Sequence, residues 1–476
     1  MADAPDNETL NETSTPKTYL ASVVCQVIRT RDLRDKGQIQ LRWSANGRFF
    51  PPYLVPVDKL ETCIADVRLA IQDIVTSLEN APEMLKSPGE IIDGVSLNTL
   101  IIELAKAGKS LYDRLLPKED ATQREIEKWL KMLAAEDRVD TVEIQIDDEC
   151  ADDLTKPLPT IPWNLLFDDK LIKPAELLAR LNSGAVDDWG FFWGAKFDLS
   201  CGKNVNPFKA DSPIDLETVT LVVMMDETIL ANLHQDTNTK VEFEDLLQRI
   251  DALRDPDSPA GKIVHLMHDM ASLESFIEER NQTPDVLYWL SHAKPDSLFL
   301  EFLDGREGEE VTVDRLASTF AAAENPKRLV AFLNGCQTAE ASIKGSFLNA
   351  FRKFDFCDGL IATERETLDV FAHRFGMEFL ESFFIRQLPL GRILHNLRRS
   401  SLPLGLLYGT YCPPNIRIVR KSDMKAVKRS APYRIAPELG ASLRKLSAAA
   451  LTTARETRLA NATVKPPAPP QPWPDK

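Results

Sequence analysis

Two short apolar runs in the chain each lead to a side chain that could take part in nucleophilic catalysis. Residues 284–290 are followed by Ser291 and His292, and residues 327–333 are followed by Asn334, Gly335 and Cys336. A cysteine thiol is mostly protonated at neutral pH, and a nearby histidine can accept its proton and stabilise the thiolate. The two side chains therefore predict a cysteine nucleophile with a histidine as its acid–base partner.

Both runs are too short for a helix and apolar on both sides, which indicates strands buried on both faces, as in a parallel sheet. His292 and Cys336 lie 44 positions apart, which leaves room for one crossover between neighbouring strands. Ligands bind beyond the carboxyl ends of the strands in open α/β sheets. We therefore expect both side chains at one edge of one sheet.

The order and spacing of this histidine and cysteine are those described for caspases. Further segments resemble the CHAT branch of the caspase-like cysteine peptidases, a clan that includes caspases and separases. The resemblance covers most of the chain, from about Lys109 to about Arg420. It is carried by Ser291, His292, Ala293 and Asp369 and by residues 158–166 (LPTIPWNLL), 189–194 (WGFFWG), 333–339 (LNGCQTA), 359–363 (GLIAT) and 402–409 (LPLGLLYG).

The resemblance implies a mechanism. The sulfur of Cys336 attacks a peptide carbonyl, and His292 protonates the leaving amine. The backbone N–H groups of Ala293 and Cys336 hold the oxyanion. Taken alone, Cys336 also fits a buried structural thiol, because free cysteine is among the most buried residue types.

The resemblance also directs attention to an S1 pocket, which would receive the substrate residue before the cut bond. Asn334 falls two positions before the nucleophile, where relatives line this pocket, and it is neutral. Acidic residues follow Ala362, among them Glu366 and Asp369, and separases place an aspartate at the position of Asp369. Carboxylates in the pocket would pair with arginine or lysine. We therefore expect cleavage after a basic residue.

The predicted fold class is α/β, a caspase-like, mostly parallel sheet flanked by helices and preceded by an α+β, pseudo-caspase-like N-terminal region. We divide the chain into a disordered tail (1–17), the N-terminal region (18–210), the catalytic region (211–420) and a basic, Pro-rich tail (421–476). A hairpin is predicted over residues 18–50. Helical spacing predicts helices over residues 57–78, 97–116, 123–134, 241–253, 271–280, 316–323, 347–354, 367–387 and 390–400. Besides the two central runs, strands are predicted over residues 141–146, 218–224, 263–267, 297–303, 310–313, 359–362 and 404–411.

Composition narrows the class of protein. The 476 residues carry a formal net charge of −15, which argues against a nucleic-acid binder. There is no apolar run long enough for a membrane span and no charged-then-apolar signal pattern, so we expect a cytoplasmic protein. Seven cysteines without a CxxC spacing do not resemble a disulfide scaffold or a zinc site. We expect no cofactor.

Three features keep two interpretations each. The acidic residues 147–153 fit a solvated loop or a site for a cation or basic partner. Trp163, Trp189 and Trp193 fit core packing or a pocket lining. The tail after residue 420 fits a flexible, solubilising segment, or a docking or inhibitory arm.

Two functions from different classes follow. One is a regulated bacterial cysteine endopeptidase that cuts a partner effector protein in antiphage defence or programmed cell death, as the resemblance implies. No sensor module is recognisable, so activation would come from a partner protein, from a ligand at residues 18–210 or from oligomerisation. The other is a catalytically silent scaffold that binds partner proteins. His292 and Cys336 favour the first.

Overall fold

The computed structural model describes residues 22–45, 48–85, 95–116, 124–128, 130, 141–148, 158–168, 191–203, 213–233, 237–340, 346–352, 354 and 356–420. Several predictions therefore lie outside the described residues. These are both predicted tails, Trp189, acidic residues 149–153 and half of the helix over residues 123–134.

The N-terminal region is built on a mixed sheet. Its strands are β1 Ser22–Arg29, β2 Gln38–Ala45, β3 Arg48–Phe49, β4 Tyr53–Pro56, β5 Thr141–Asp148 and β6 Asp198–Lys203. They lie in the order β3-β2-β1-β5-β6, with β4 also paired to β2. The predicted hairpin is confirmed, because β1 and β2 are antiparallel, whereas β1, β5 and β6 run parallel. The helices here are α1 Arg31–Asp35, α2 Val57–Asn80, α3 Leu97–Leu115 and α4 Trp193–Lys196.

The region over residues 211–420 is built on a second sheet. Its strands are β8 Leu221–Met225, β9 Val264–Met267, β10 Val286–Leu290, β14 Leu329–Asn334, β15 Cys357–Thr363 and β16 Tyr408–Tyr411. They lie in the order β16-β15-β14-β10-β8-β9, and all strand pairs are parallel except the β15–β16 pair at one edge. Every residue of β8, β10 and β14 is buried, as the unbroken apolar runs predict.

Helices cover this sheet close to where the apolar spacing predicts them. They are α5 Glu227–Leu233, α6 Thr237–Asp251, α7 Met270–Arg280, α8 Val313–Ala321, α9 Phe347–Arg352, α10 Asp369–Leu380 and α11 Leu390–Ser400. The single helix expected over 367–387 is instead α10 followed by a π-helical turn, Glu381–Ile385. The strand expected over 404–411 begins as a 3-10 turn, Leu404–Leu407. The predicted α/β class, a mostly parallel sheet flanked by helices, is confirmed.

A small antiparallel sheet follows the central strand β10. It consists of β11 His292–Lys294, β12 Ser297–Leu300 and β13 Glu309–Thr312, in that order. Asp226, at the end of β8, fixes it in place, since its carboxylate accepts the amide of Glu301 at 2.7 Å and caps α5 through the amide of Thr228 at 2.9 Å. A further parallel pair joins β7 Ile214–Asp215 to β17 Ile418–Val419.

Two of the predicted tryptophans pack inside the protein. Trp163 and Trp193 are buried, and their rings stack with centroids 6.4 Å apart. Tyr112 and Phe197 meet Trp193 edge-on at 6.0 and 5.6 Å. The core interpretation therefore holds for this pair of tryptophans.

Candidate active site

The two central strands deliver His292 and Cys336 to the same edge of the second sheet. β10 and β14 are parallel neighbours, and Leu290 lies opposite Asn334 in their register. His292 and Cys336 each follow two residues after that pair. The sequence placed His292 at the end of its strand, but β10 ends at Leu290, and His292 is the first residue of β11. The chain turns out of the large sheet at Ser291, where it begins the small antiparallel sheet.

Gly335 lets the two loops approach closely. A Cβ atom at this position would lie 2.8 Å from the carbonyl oxygen of Ser291 and 2.9 Å from the Cβ of Ala293. The carbonyl oxygen of Gly335 accepts hydrogen bonds from the hydroxyls of Thr338, at 3.2 Å, and Thr363. These bonds fix the backbone just before Cys336, which lies close to the backbone that carries Ala293.

The thiol of Cys336 is half-buried, whereas the side chain of His292 is exposed. Burial raises the pKa of Cys336 to about 11. The backbone amide of Thr367 opposes this by favouring the thiolate, while the charges of Asp369 and Glu366 raise the pKa further. The site thus holds a thiol that is protonated at neutral pH in this state.

Asp369 is the first residue of α10, and its side chain is exposed. The surrounding protein raises the pKa of this carboxyl, and the nearby imidazole of His292 opposes the shift. Asp369 therefore interacts electrostatically with both His292 and Cys336. It could pair with a cationic substrate group or with the imidazolium. Nothing in the sequence signalled the link to His292.

The two glutamates of the loop after β15 differ in their exposure to solvent. Glu366 is exposed, and its carboxylate contacts the side-chain amide of Gln337 at 3.5 Å. Glu364 is completely buried, and its carboxylate pairs with Arg68 of α2 at 2.8 Å. Glu366 and Asp369 are therefore accessible to a ligand, while Glu364 belongs to the interior.

Asn334 faces the interior rather than the open edge. Only 1% of its surface is exposed. Its side-chain amide donates to the hydroxyl of Tyr288 at 3.1 Å and the carbonyl of Ala372 at 2.7 Å, and its oxygen accepts from Tyr408 at 2.9 Å. The structure does not bring Asn334 together with the other candidate S1 residues. It instead ties β10, β14 and β16 to α10.

We expect Asn334→Ala to lower the free energy of unfolding by about 2–4 kcal/mol, because buried tyrosine hydroxyls lose a hydrogen-bond partner. Urea unfolding measures this, with the exposed Asn325→Ala as a matched control that should change little. Substrate preference should stay the same. Unchanged stability together with an altered preference for the residue before the cut would restore Asn334 to the pocket.

The raised pKa of Cys336 predicts slow alkylation by iodoacetamide near neutral pH. With a pKa of about 11, only about 1 thiol in 3,000 is ionised at pH 7.5. The rate constant for Cys336, followed by mass spectrometry, should rise about tenfold per pH unit between pH 7 and 9.5. A plateau already reached near pH 7 would show a preformed thiolate and contradict this prediction.

In the ranges the structure covers, no group of His, Cys, Asp and Glu side chains is arranged to hold a metal ion. Within the same ranges, no helix has the length and apolar character required to cross a membrane. None of the six described cysteines, which include Cys336, forms a disulfide.

No protein-family model and no curated protein matches this chain. Among solved structures, it is similar to a chain of the Saccharomyces cerevisiae separase–securin complex, with 12% sequence identity and a TM-score of 0.39. The similarity covers 84% of this chain and 30% of that one, so the present chain spans less than a third of the length of that relative.

Proposed function

We propose that this protein is a caspase-like cysteine endopeptidase in which Cys336 is the nucleophile and His292 the acid–base group. One observation carries the proposal. The adjacent parallel strands β10 and β14 end in register, and the close contact of Gly335 with Ala293 brings their following loops together. This geometry supports a joint role for the thiol, the imidazole and the backbone amides of Ala293 and Cys336.

The proposed reaction begins when the thiol of Cys336 transfers its proton to His292 and attacks the carbonyl carbon of a peptide. The N–H groups of Ala293 and Cys336 donate to the resulting oxyanion. The imidazolium then protonates the departing amine as the C–N bond breaks, which leaves a thioester on Cys336. His292 next takes a proton from water, and the hydroxide attacks the thioester. The C–S bond then breaks to release the acid, and the imidazolium returns its proton to the Cys336 sulfur.

The electrostatics favour a basic residue before the cut bond. Asp369 and Glu366 both raise the pKa of the Cys336 thiol, because their charges oppose a thiolate. A lysine or arginine side chain paired with them would cancel that opposition. By binding, such a substrate would lower the pKa of the Cys336 thiol that attacks it. We therefore infer a preference for arginine or lysine.

The biological setting we propose follows the sequence resemblance. The enzyme would be a regulated protease that cuts a partner effector protein during antiphage defence or programmed cell death. The protonated thiol is consistent with an inactive resting state that a partner protein or ligand at residues 18–210 switches on. The same raised pKa of Cys336 also fits a catalytically silent scaffold.

The test compares the wild type with Cys336→Ala and His292→Ala. Cys357→Ala is the matched control, because Cys357 is also only half-buried but begins β15, at the amino end of the parallel strands, whereas Cys336 follows their carboxyl end. Each protein is mixed with the proteins encoded beside it and with extract from infected or uninfected cells. New N-termini are then identified by mass spectrometry.

Cuts after arginine or lysine in the wild type and in Cys357→Ala, but in neither site variant, would support the peptidase. Cuts after aspartate would overturn the proposed preference. Identical fragments from all four proteins, or none under any condition, would favour the scaffold.

A further inference from the structure

Helix α2 of the N-terminal region contacts the loop beside the candidate nucleophile. Arg68 and Gln72 lie four residues apart, so both side chains project from one face of this helix. Both reach the segment of residues 364–367, which follows β15. This segment contains Glu366 of the candidate S1 pocket and immediately precedes α10, which begins at Asp369.

The first contact is a buried ion pair. The guanidinium of Arg68 donates to one carboxylate oxygen of Glu364 through Nη2 at 2.8 Å and Nε at 3.2 Å. The other oxygen of Glu364 accepts from the hydroxyl of Tyr411 at 2.5 Å. Although burial by itself lowers the pKa of Arg68, the charge of Glu364 raises it overall. Glu364 is thus fixed from two sides.

The second contact is with Glu366 itself. The side-chain oxygen of Gln72 accepts the backbone amide of Glu366 at 3.2 Å, and its amide group lies 3.5 Å from the carboxylate. The same carboxylate is reached from the other side by Gln337, the residue after Cys336. Glu366 therefore bridges α2 and the loop of the candidate nucleophile.

The residues of β15 and of the segment 364–367 in turn contact the loop that carries the thiol. The carbonyl of Arg365 accepts the amide of Gln337 at 3.4 Å, and the carbonyl of Thr363 accepts that of Ala339 at 2.9 Å. The backbone amide of Thr367, the residue after Glu366, favours the thiolate of Cys336. Contacts that start on α2 therefore end at the sulfur.

We propose that Arg68 and Gln72 are positioning residues of the candidate active site, which keep the segment 364–367 against Cys336. The consequence for cleavage rests on the proposed function, whereas the consequence for the thiol does not. Burial has the largest effect on the pKa of the Cys336 thiol. If this segment loosens, water reaches the thiol, and the resulting fall in pKa is larger than the rise caused by losing the Thr367 amide. Alkylation of Cys336 then speeds up while substrate cleavage slows.

Three titratable groups interact with the thiol. They are Glu366 of the segment 364–367, Asp369 of α10 and Tyr408 of β16. A fourth, His292 of β11, interacts with Asp369. None of them is altered in the variants that follow.

The main variant is the double substitution Arg68→Met with Glu364→Gln, because replacing both members of a buried pair leaves no isolated charge. Gln72→Ala tests the second contact, and Asp73→Ala on the exposed face of α2 is the matched control. The full-length proteins are treated with iodoacetamide at several pH values. Mass spectrometry follows every cysteine separately.

We expect the double variant to alkylate Cys336 about 2- to 30-fold faster than the wild type. The buried Cys25 and Cys412 should be as unreactive as before. Cleavage by an active preparation should fall about 10- to 100-fold, mainly in kcat. Gln72→Ala should show a smaller change in alkylation and a reduced preference for arginine, and Asp73→Ala should match the wild type.

Two results would overturn the proposal. One is an alkylation rate for Cys336 in the double variant within twofold of the wild type. The other is equal acceleration at all cysteines, which would indicate general unfolding instead of a local role. Absence of cleavage in every protein would count against the proposed peptidase, while the alkylation result would still decide the role of α2.

Discussion

Gly335→Ala is expected to reduce kcat/KM about 100-fold or more. The added methyl group would lie 2.8 Å from the carbonyl oxygen of Ser291 and 2.9 Å from the Cβ of Ala293, closer than non-bonded atoms tolerate. One loop must therefore move. The backbone amides of Ala293 and Cys336, which are proposed to hold the oxyanion, lie next to this contact. A shift of about 1 Å can remove most of their contribution to catalysis.

Steady-state kinetics with the natural substrate or with an arginine peptide tests this prediction. Gly308→Ala is the matched control, since a methyl group there would meet only an ordinary contact of 3.4 Å with the carbonyl of Leu300. The control should keep wild-type kinetics. If Gly335→Ala cleaves as well as the control, the two loops do not need their close approach, and the proposed oxyanion site loses its support.

Gly376→Ala is expected to produce a large loss of stability. Gly376 lies in α10 where the helix crosses β10, and an added Cβ would lie 2.1 Å from the hydroxyl oxygen of Tyr288 and 2.6 Å from its Cζ. Alanine in a helix interior is favoured over glycine by about 1 kcal/mol. Overpacking costs about 3 kcal/mol or more here, because the buried ring of Tyr288 has little room to move. The clash therefore outweighs the helical preference.

Urea or thermal unfolding of Gly376→Ala measures the balance, with Gly308→Ala again as the control. We expect a net loss of about 2 kcal/mol or more, accompanied by a change in near-ultraviolet circular dichroism as Tyr288 shifts. Stability equal to or above that of the wild type would mean that α10 and β10 separate easily. The support of Asp369 by α10 would then be weaker than the packing indicates.

The sequence predicted the central strands because five or six consecutive apolar residues admit few other structures. It also predicted that His292 and Cys336 follow the same end of the sheet, since the parallel strands before them end in register. The orientation of Asn334 was partly readable, because side chains two apart in a strand share a face. Asn334 shares its face with Phe332, which packs against Phe379 of α10 at 5.0 Å. Which face α10 would cover was not readable from the strand alone.

The contacts of α2 were beyond the reach of sequence patterns. Arg68 and Glu364 are 296 positions apart, and an arginine on an amphipathic helix normally projects into solvent. Local spacing cannot show that one such residue is buried against a carboxylate from another sheet. The role of Gln72 is hidden in the same way, because its partner is mainly a backbone amide. Such pairings become visible only once the tertiary arrangement is known.

The buried ion pair between Arg68 and Glu364 also bears on how this protein can be divided or recombined. A fragment made of residues 211–420 alone would leave Glu364 without its cation, and the segment 364–367 would lose both of its contacts with α2. Residues 211–420 would then be a poor independent module for fusion or domain exchange. For the same reason, a substitution of Arg68 in an engineered chimaera would need a matching change at Glu364, because removing one member of a buried ion pair leaves the other charge uncompensated.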